Sequence, residues 1–246
     1  MKTYVIGKCF SFFLMLGFWG LAEAKTLVLS SDDGPPHMIK ESSSGIDIDI
    51  TREILQALGY DVSVRFSSLA RGKSDVELGN VDAVTPTFFE KDREGFYVSK
   101  PIVDYRPTVF TLKHENHKIG HILDLIGHRV VTFQGAKGYF GSDFVKVSKN
   151  TVYKEHYDMG IFPDLLKRGR YSVVVVDYYI FYYFYRLKDK NRDASLFQTH
   201  SVIPPVKAGV GFHDKKLRDR FNAKLAEYTE QGRHLLVIEK YIGKVQ

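Results

Sequence analysis

Short apolar runs and helical stripes take turns along most of the chain. "TLVLSS" (26–31) predicts a strand, and the loop "DDGPPHM" follows it. "GIDIDITREILQALGY" predicts a helix stopped at Gly59, and "DVSVRF" alternates as a strand does. "KSDVELGNVDAVTP" then reads as a short helix, a turn at Gly79 and a strand ending near Pro86. The same grammar returns in "HRVVTFQG", a strand entering a glycine-rich turn. It returns again in "DMGIFPDLLKRGRYSVVVVD", which reads as helix, turn and strand. Strands alternating with helices predict parallel α/β layers. "ELGNVDAV" and "KRGRYSVVVV" echo each other, each with a helix end, a glycine and a buried strand. Two lobes of like topology account for the echo, and so does one continuous sheet with ordinary helix-to-strand turns.

In "RYSVVVVDYYIFYYFYRL" (170–187) a single carboxylate, Asp177, sits among apolar and aromatic side chains. The uncharged stretches beside it fall far short of the ~20 apolar residues that a bilayer span needs. Val173 to Val176 suit a strand buried on both faces, and the aromatic run to Arg186 is long enough for a helix. In parallel sheets, ligands sit beyond the carboxyl ends of the strands, and Asp177 falls at such an end. It also suits the N-cap of the following helix. Two extended stretches, Arg106–Thr111 and Val202–Ala208, predict a double crossing between lobes. The chain closes with an amphipathic helix that places Leu217, Phe221, Leu225 and Tyr228 on one stripe, then a second helix in "RHLLVIEKYIG".

Composition adds an address. Lys2 and Lys8 precede the apolar run "CFSFFLMLGFWGL", and "AEA" (22–24) resembles a cleavage site, so residues 1–24 read as a secretory signal cut after Ala24. The only cysteine, Cys9, lies within that segment, so the mature chain is expected to rely on its core and not on disulfides. The net charge of +6 is mild and spread along the chain, which points away from nucleic acid.

Two motifs invite a chemical test. His114, His117 and His121 are spaced to face one way on a helix, but Gly120 interrupts them and neither a cysteine nor a nearby carboxylate completes a set; a solvated loop is the expectation and no metal site is assigned. "QGAKGYFG" (134–141) lacks the ending of a phosphate loop, though its backbone N–H groups suit a carboxylate.

The ordered pieces "LVLSSDDGPP", "GIDIDI", "LARGKSDVELGNVDAV", "FFEKDREGFYVSKP", "DLIGHRVVTFQGAKGY", "LLKRGRYSVVVVD" and "LRDRFNAKLAEYTEQG" together resemble the solute-binding proteins of amino-acid ABC importers, extracellular family 3. The resemblance covers nearly all of residues 25–243. It implies a type II periplasmic binding protein fold, two α/β lobes joined by a two-stranded hinge. Lobe 1 would comprise 25–108 and 206–246, and lobe 2 would comprise 109–205.

The resemblance also implies roles. Arg93 would clamp a ligand carboxylate through parallel N–H donors, the other reading being a surface pair with Asp92 or Glu90. Asp177 would accept the ligand's ammonium group. Asp32 would lie near the amine or side chain, or serve only as a turn residue. Arg71, Thr87, Phe88, Gln134, Gly135, Lys137, Gly138 and Tyr139 complete the expected lining. Phe89 is a further candidate wall, while Asp47 and Asp49 read as first-turn acids of a helix. "YVSKPIV" departs from the family's F-S-D-P-Y-Y, which bears on the ligand more than on the fold.

The implied function is capture of a small zwitterionic or anionic compound, a polar amino acid or a relative, by a periplasmic monomer that delivers it to an inner-membrane ABC permease. No cofactor is implied. The alternatives are a sensor or accessory domain and, on the same scaffold, a lyase resembling cyclohexadienyl dehydratases, in which an Arg and a carboxylic acid act as clamp and general acid.

Overall fold

The computed structural model describes residues 25–188 and 193–244, so the expected signal segment and Cys9 lie outside it. The described chain builds two mixed sheets flanked by helices. The elements run β1 (Thr26–Ser31), α1 (Ile46–Ala57), β2 (Asp61–Phe66), α2 (Leu69–Glu77), β3 (Ala83–Thr87), β4 (Tyr97–Val98), β5 (Val103–Tyr105) and β6 (Pro107–Leu112). Then come β7 (Arg129–Phe133), α3 (Ala136–Phe140), α4 (Ser142–Lys149), β8 (Val152–His156), α5 (Phe162–Lys167) and β9 (Val173–Asp177). The last are α6 (Tyr178–Lys188), β10 (Phe197–His200), β11 (Val206–Phe212), α7 (Lys215–Glu230) and α8 (Arg233–Ile242).

The first sheet has the order β2-β1-β3-β11-β4, with β5 also paired to β11; β1, β2 and β3 are parallel and β11 runs against them. The second has the order β10-β6-β9-β7-β8, with β7, β8 and β9 parallel and β6 antiparallel to β9. The two echoing segments are α2–β3 and α5–β9, one in each sheet, so the echo marks two lobes and not one sheet.

The crossings are tighter than the extended sequence suggested. Pro107–Leu112 lies wholly in the second sheet, so the first crossing is Arg106 alone. The second spans residues 201–205, because Val206–Ala208 already pairs with β5. The strand ladder takes these residues because a paired backbone satisfies its N–H and C=O groups where an extended crossing leaves them open.

Burial follows the patterning. Val173 to Val176 are fully enclosed, as a strand between two helical layers requires. The aromatic run is α6, with Tyr178, Tyr179, Phe181, Tyr182 and Tyr185 in the core. Phe110 and Phe181 stack with centroids 3.8 Å apart. These rings share one cluster with Ile46, Ile50 and Leu55 of α1 and with Phe221 and Leu225 of α7, so one apolar core runs through both lobes. Side-chain oxygens cap α7 and α6: Asp214 accepts from Lys216 N at 2.6 Å and Leu217 N at 3.2 Å, and Asp177 accepts from Tyr179 N at 2.8 Å.

Candidate functional site

The site starts from the loop "DDGPPHM", whose histidine the sequence did not single out. After β1 the chain turns back on itself, with Gly34 and Met38 exchanging backbone hydrogen bonds of 2.8 and 3.1 Å. It re-enters α1 through Gly45, whose φ of 136° an L side chain rarely adopts. A Cβ there would sit 2.3 Å from the His37 carbonyl oxygen. The first N–H groups of α1 find partners in the loop: Ile46 N donates to Pro36 O at 2.9 Å and Asp47 N to His37 O at 3.1 Å. These contacts hold His37 beside the start of the helix.

His37 is 1% exposed. Its Nδ1 faces Asp47 Oδ1 at 2.8 Å and its Nε2 faces Asp177 Oδ1 at 3.4 Å. The ring stacks on Tyr105 with centroids 3.8 Å apart, and Tyr179 meets it edge-on at 5.7 Å. Tyr105 donates its hydroxyl to Asp47 Oδ2 at 3.0 Å. Asp177 also accepts from Arg106 N at 2.6 Å, Tyr179 N at 2.8 Å and Ile180 N at 3.2 Å. The carboxylate therefore closes a crossing, caps a helix and holds a side chain from the other lobe.

The charges set the protonation state. Burial on its own lowers the His37 pKa, but the Asp47 charge and hydrogen bonds to Asp177 and Asp47 outweigh it and raise the value to about 9. At neutral pH the ring is an imidazolium, and only that form donates from both nitrogens to two carboxylates. Burial pushes the Tyr105 phenol well up, and the Asp47 charge adds to this. Tyr139 is also raised, by burial first and then by the Asp177 charge, which places its phenol within the electrostatic reach of the same centre.

Of the residues singled out in the sequence, Asp177 and Phe88 come together here, while Tyr139 is 52% exposed and packs edge-on against Phe133 and Phe140 at 5.8 and 5.2 Å. Phe88 meets the Tyr105 ring edge-on at 4.9 Å. Thr87, 2% exposed at the end of β3, has a hydroxyl without a hydrogen-bond partner, and so does Thr85. The others are engaged elsewhere. Arg93 lies over Phe96 at 4.2 Å, donates to Glu77, and stands 3.7 Å from Glu90; its side chain is 42% exposed. Asp92, the other partner considered, binds Arg218 at 2.9 Å instead. Arg71 donates to Asp75 at 3.1 Å. Asp32 accepts from Asp33 N at 2.8 Å and Leu69 N at 3.3 Å. Gln134, Gly135, Lys137 and Gly138 are exposed at the end of β7, and Phe89 is 83% exposed. Gly135 N and Lys137 N both donate to Glu155, at 3.0 and 3.2 Å, so a carboxylate of the chain itself sits where the sequence suggested an external one.

The histidine segment forms no helix that aligns its rings. Lys113–Glu115 is a single 3-10 turn, and His121 caps the next turn by accepting from Leu123 N at 3.2 Å. Among the described residues no group of three metal-ligating side chains converges.

His37, Tyr105 and Glu155 were not foreseen. His37 finds Asp177 across 140 positions of sequence, and nothing local to "GPPHM" signals that pairing.

Comparison with known proteins fits this architecture. Residues 27–244 match the sequence profile of the bacterial extracellular solute-binding proteins, family 3. No curated protein matches the sequence. An ancestral cationic amino acid solute-binding protein superposes with a TM-score of 0.69 at 18% identity, covering 88% of this chain and 95% of that one. The second substrate-binding domain of Lactococcus lactis GlnP, in its open conformation, gives 0.68 at 18% identity over 91% and 98%. A histidine kinase sensor domain with similarity to periplasmic binding proteins gives 0.60 at 20% identity over 89% and 97%. At these identities the likeness is one of fold.

Proposed function

Since the chain belongs to the bacterial extracellular solute-binding proteins, family 3, we propose that it captures a small zwitterionic or anionic compound, a polar amino acid or a relative, between its two lobes and delivers it to an ABC importer. In this reading residues 1–24 direct export to the periplasm, and the lobe built on the first sheet closes against the lobe built on the second.

The observation that carries the reading is the bridge from His37 to Asp177, which joins the loop between β1 and α1 to the end of β9 across the lobes. Like the imidazolium, an ammonium group is a positively charged N–H donor, so it can take the place of His37 Nε2 at Asp177 Oδ1. Phe88 and Tyr139 would wall the ligand, and Thr87 would offer its unpartnered hydroxyl. Arg93 is the carboxylate clamp, exchanging Glu77 and Glu90 for the ligand. Asp32, Arg71, Gln134, Gly135, Lys137 and Gly138 form the rim that lobe closure brings nearer.

A melting screen of the secreted chain against amino acids and small organic acids tests this. A ligand at 100 times its Kd should add about 2.7 kcal/mol by linkage. A screen in which neither class raises the melting temperature would overturn the reading.

A further inference from the structure

Away from the His37 bridge, a cavity of about 370 Å³ lies between α6, β10 and the end of α8. That volume is within the range of small-molecule sites, roughly 300–1,000 Å³. Tyr178, Tyr182, Phe197 and Ile242 give it aromatic and apolar walls. Lys113, Arg186 and Lys244 bring three positive charges to its lining. Asp193 is the one acid in that lining, and its oxygens are occupied by Ser195 N at 2.8 Å and Ser195 Oγ at 2.7 Å.

The guanidinium is built in. Arg186 is half-buried and packs directly on the Gly243 backbone, where a Cβ would fall 1.2 Å from Nη1. Among the described residues neither Arg186 nor Lys244 has an ion-pair partner. Tyr182 is 3% exposed, yet its hydroxyl has no hydrogen-bond partner among the described residues. Burial pushes that phenol up, which keeps it a donor. A half-buried cation and a lone phenol at the edge of an aromatic cavity leave donors that an anionic group can satisfy.

We propose that this cavity is a second binding site, for a small aromatic carboxylate whose ring lies against the tyrosines and whose carboxylate takes the Arg186 guanidinium and the Tyr182 hydroxyl. The site is separate from the interlobe one, since neither His37 nor Asp177 lines it.

Benzoate is the probe, titrated calorimetrically into the full secreted chain, with inorganic phosphate as the second arm. Saturable benzoate binding is expected. Arg186→Gln should weaken it about tenfold, the loss of one charge-assisted hydrogen bond. Tyr182→Phe keeps the ring and should weaken binding severalfold, and it carries the test if Arg186→Gln fails to fold. Phosphate binding as tight as benzoate would overturn the aromatic assignment. Absence of saturable benzoate binding, or affinity unchanged in the folded variants, would overturn the site.

Discussion

His37 Nε2 lies 3.4 Å from Asp177 Oδ1, and through that contact a loop of the first lobe reaches the strand end of the second. The other nitrogen is held at 2.8 Å by Asp47, in the first turn of α1. One imidazolium is thus shared by two buried acids, one on α1 of the first lobe and one at the end of β9 in the second sheet. Any movement of the lobes at this point has to break or replace that contact.

Removing the shared cation leaves two carboxylates buried close together. His37→Ala should therefore destabilise the protein by about 3–5 kcal/mol, the cost typical of breaking a buried ion pair. Urea unfolding of the two proteins at pH 7 measures it. A loss below about 1 kcal/mol would mean that the bridge contributes no more than a surface pair.

The same cation predicts a pH dependence. The folded pKa of about 9 exceeds the ordinary 6.5, so folding favours the protonated ring. The resulting stability is fully present below pH 6.5 and is lost as pH rises from there through 9, with a total on the order of 3 kcal/mol. The denaturation midpoint of the natural chain should fall over that window, while that of His37→Ala should change little. Equal slopes for both would assign the effect to other groups.

Arg93 separates stability from binding. Its pairs with Glu77 and Glu90 are partly exposed, so Arg93→Ala should cost less than about 1 kcal/mol of stability. If Arg93 clamps a carboxylate, the same change should weaken the ligand found in the melting screen by at least about tenfold. Unchanged affinity would remove it from the site.

Gly45 positions His37 through backbone geometry. Gly45→Ala forces a side chain into a φ of 136° and against the His37 carbonyl. The strain alone is of order 1–3 kcal/mol. An NMR titration of His37 in a variant that still folds should show its pKa falling back from about 9, since the loop no longer seats the ring between its acids. A pKa held near 9 would show that the loop tolerates the added carbon.

Much of the layout was legible because it depends on neighbours in sequence. Val173 to Val176 announce a buried strand, and the residues after Asp177 announce a helix that needs a cap; both features appear, and the cap is made by Asp177 Oδ1 itself. The stripe of Leu217, Phe221, Leu225 and Tyr228 is the buried face of α7. The crossings were placed too broadly, because extended backbone reads alike whether it spans a gap or joins a ladder, as Pro107–Leu112 does. Arg71 and Asp75 stand four residues apart on α2, a spacing that places them as neighbours on one face, so that pair was legible; nothing near Arg93 in sequence disclosed that Glu77, 16 positions away, lies within reach.

Periodicity, turn residues and the order of motifs were enough to establish the α/β class, the family and the helix that follows Asp177, since each is written in residues only a few positions apart. The pairing of His37 with Asp177, the cavity beside Arg186 and the burial of a charge near α1 came from folding alone. Those features depend on groups far apart in the chain meeting in a low-dielectric interior, where a nearby carboxylate changes a proton's affinity by orders of magnitude. A linear string carries no measure of that distance.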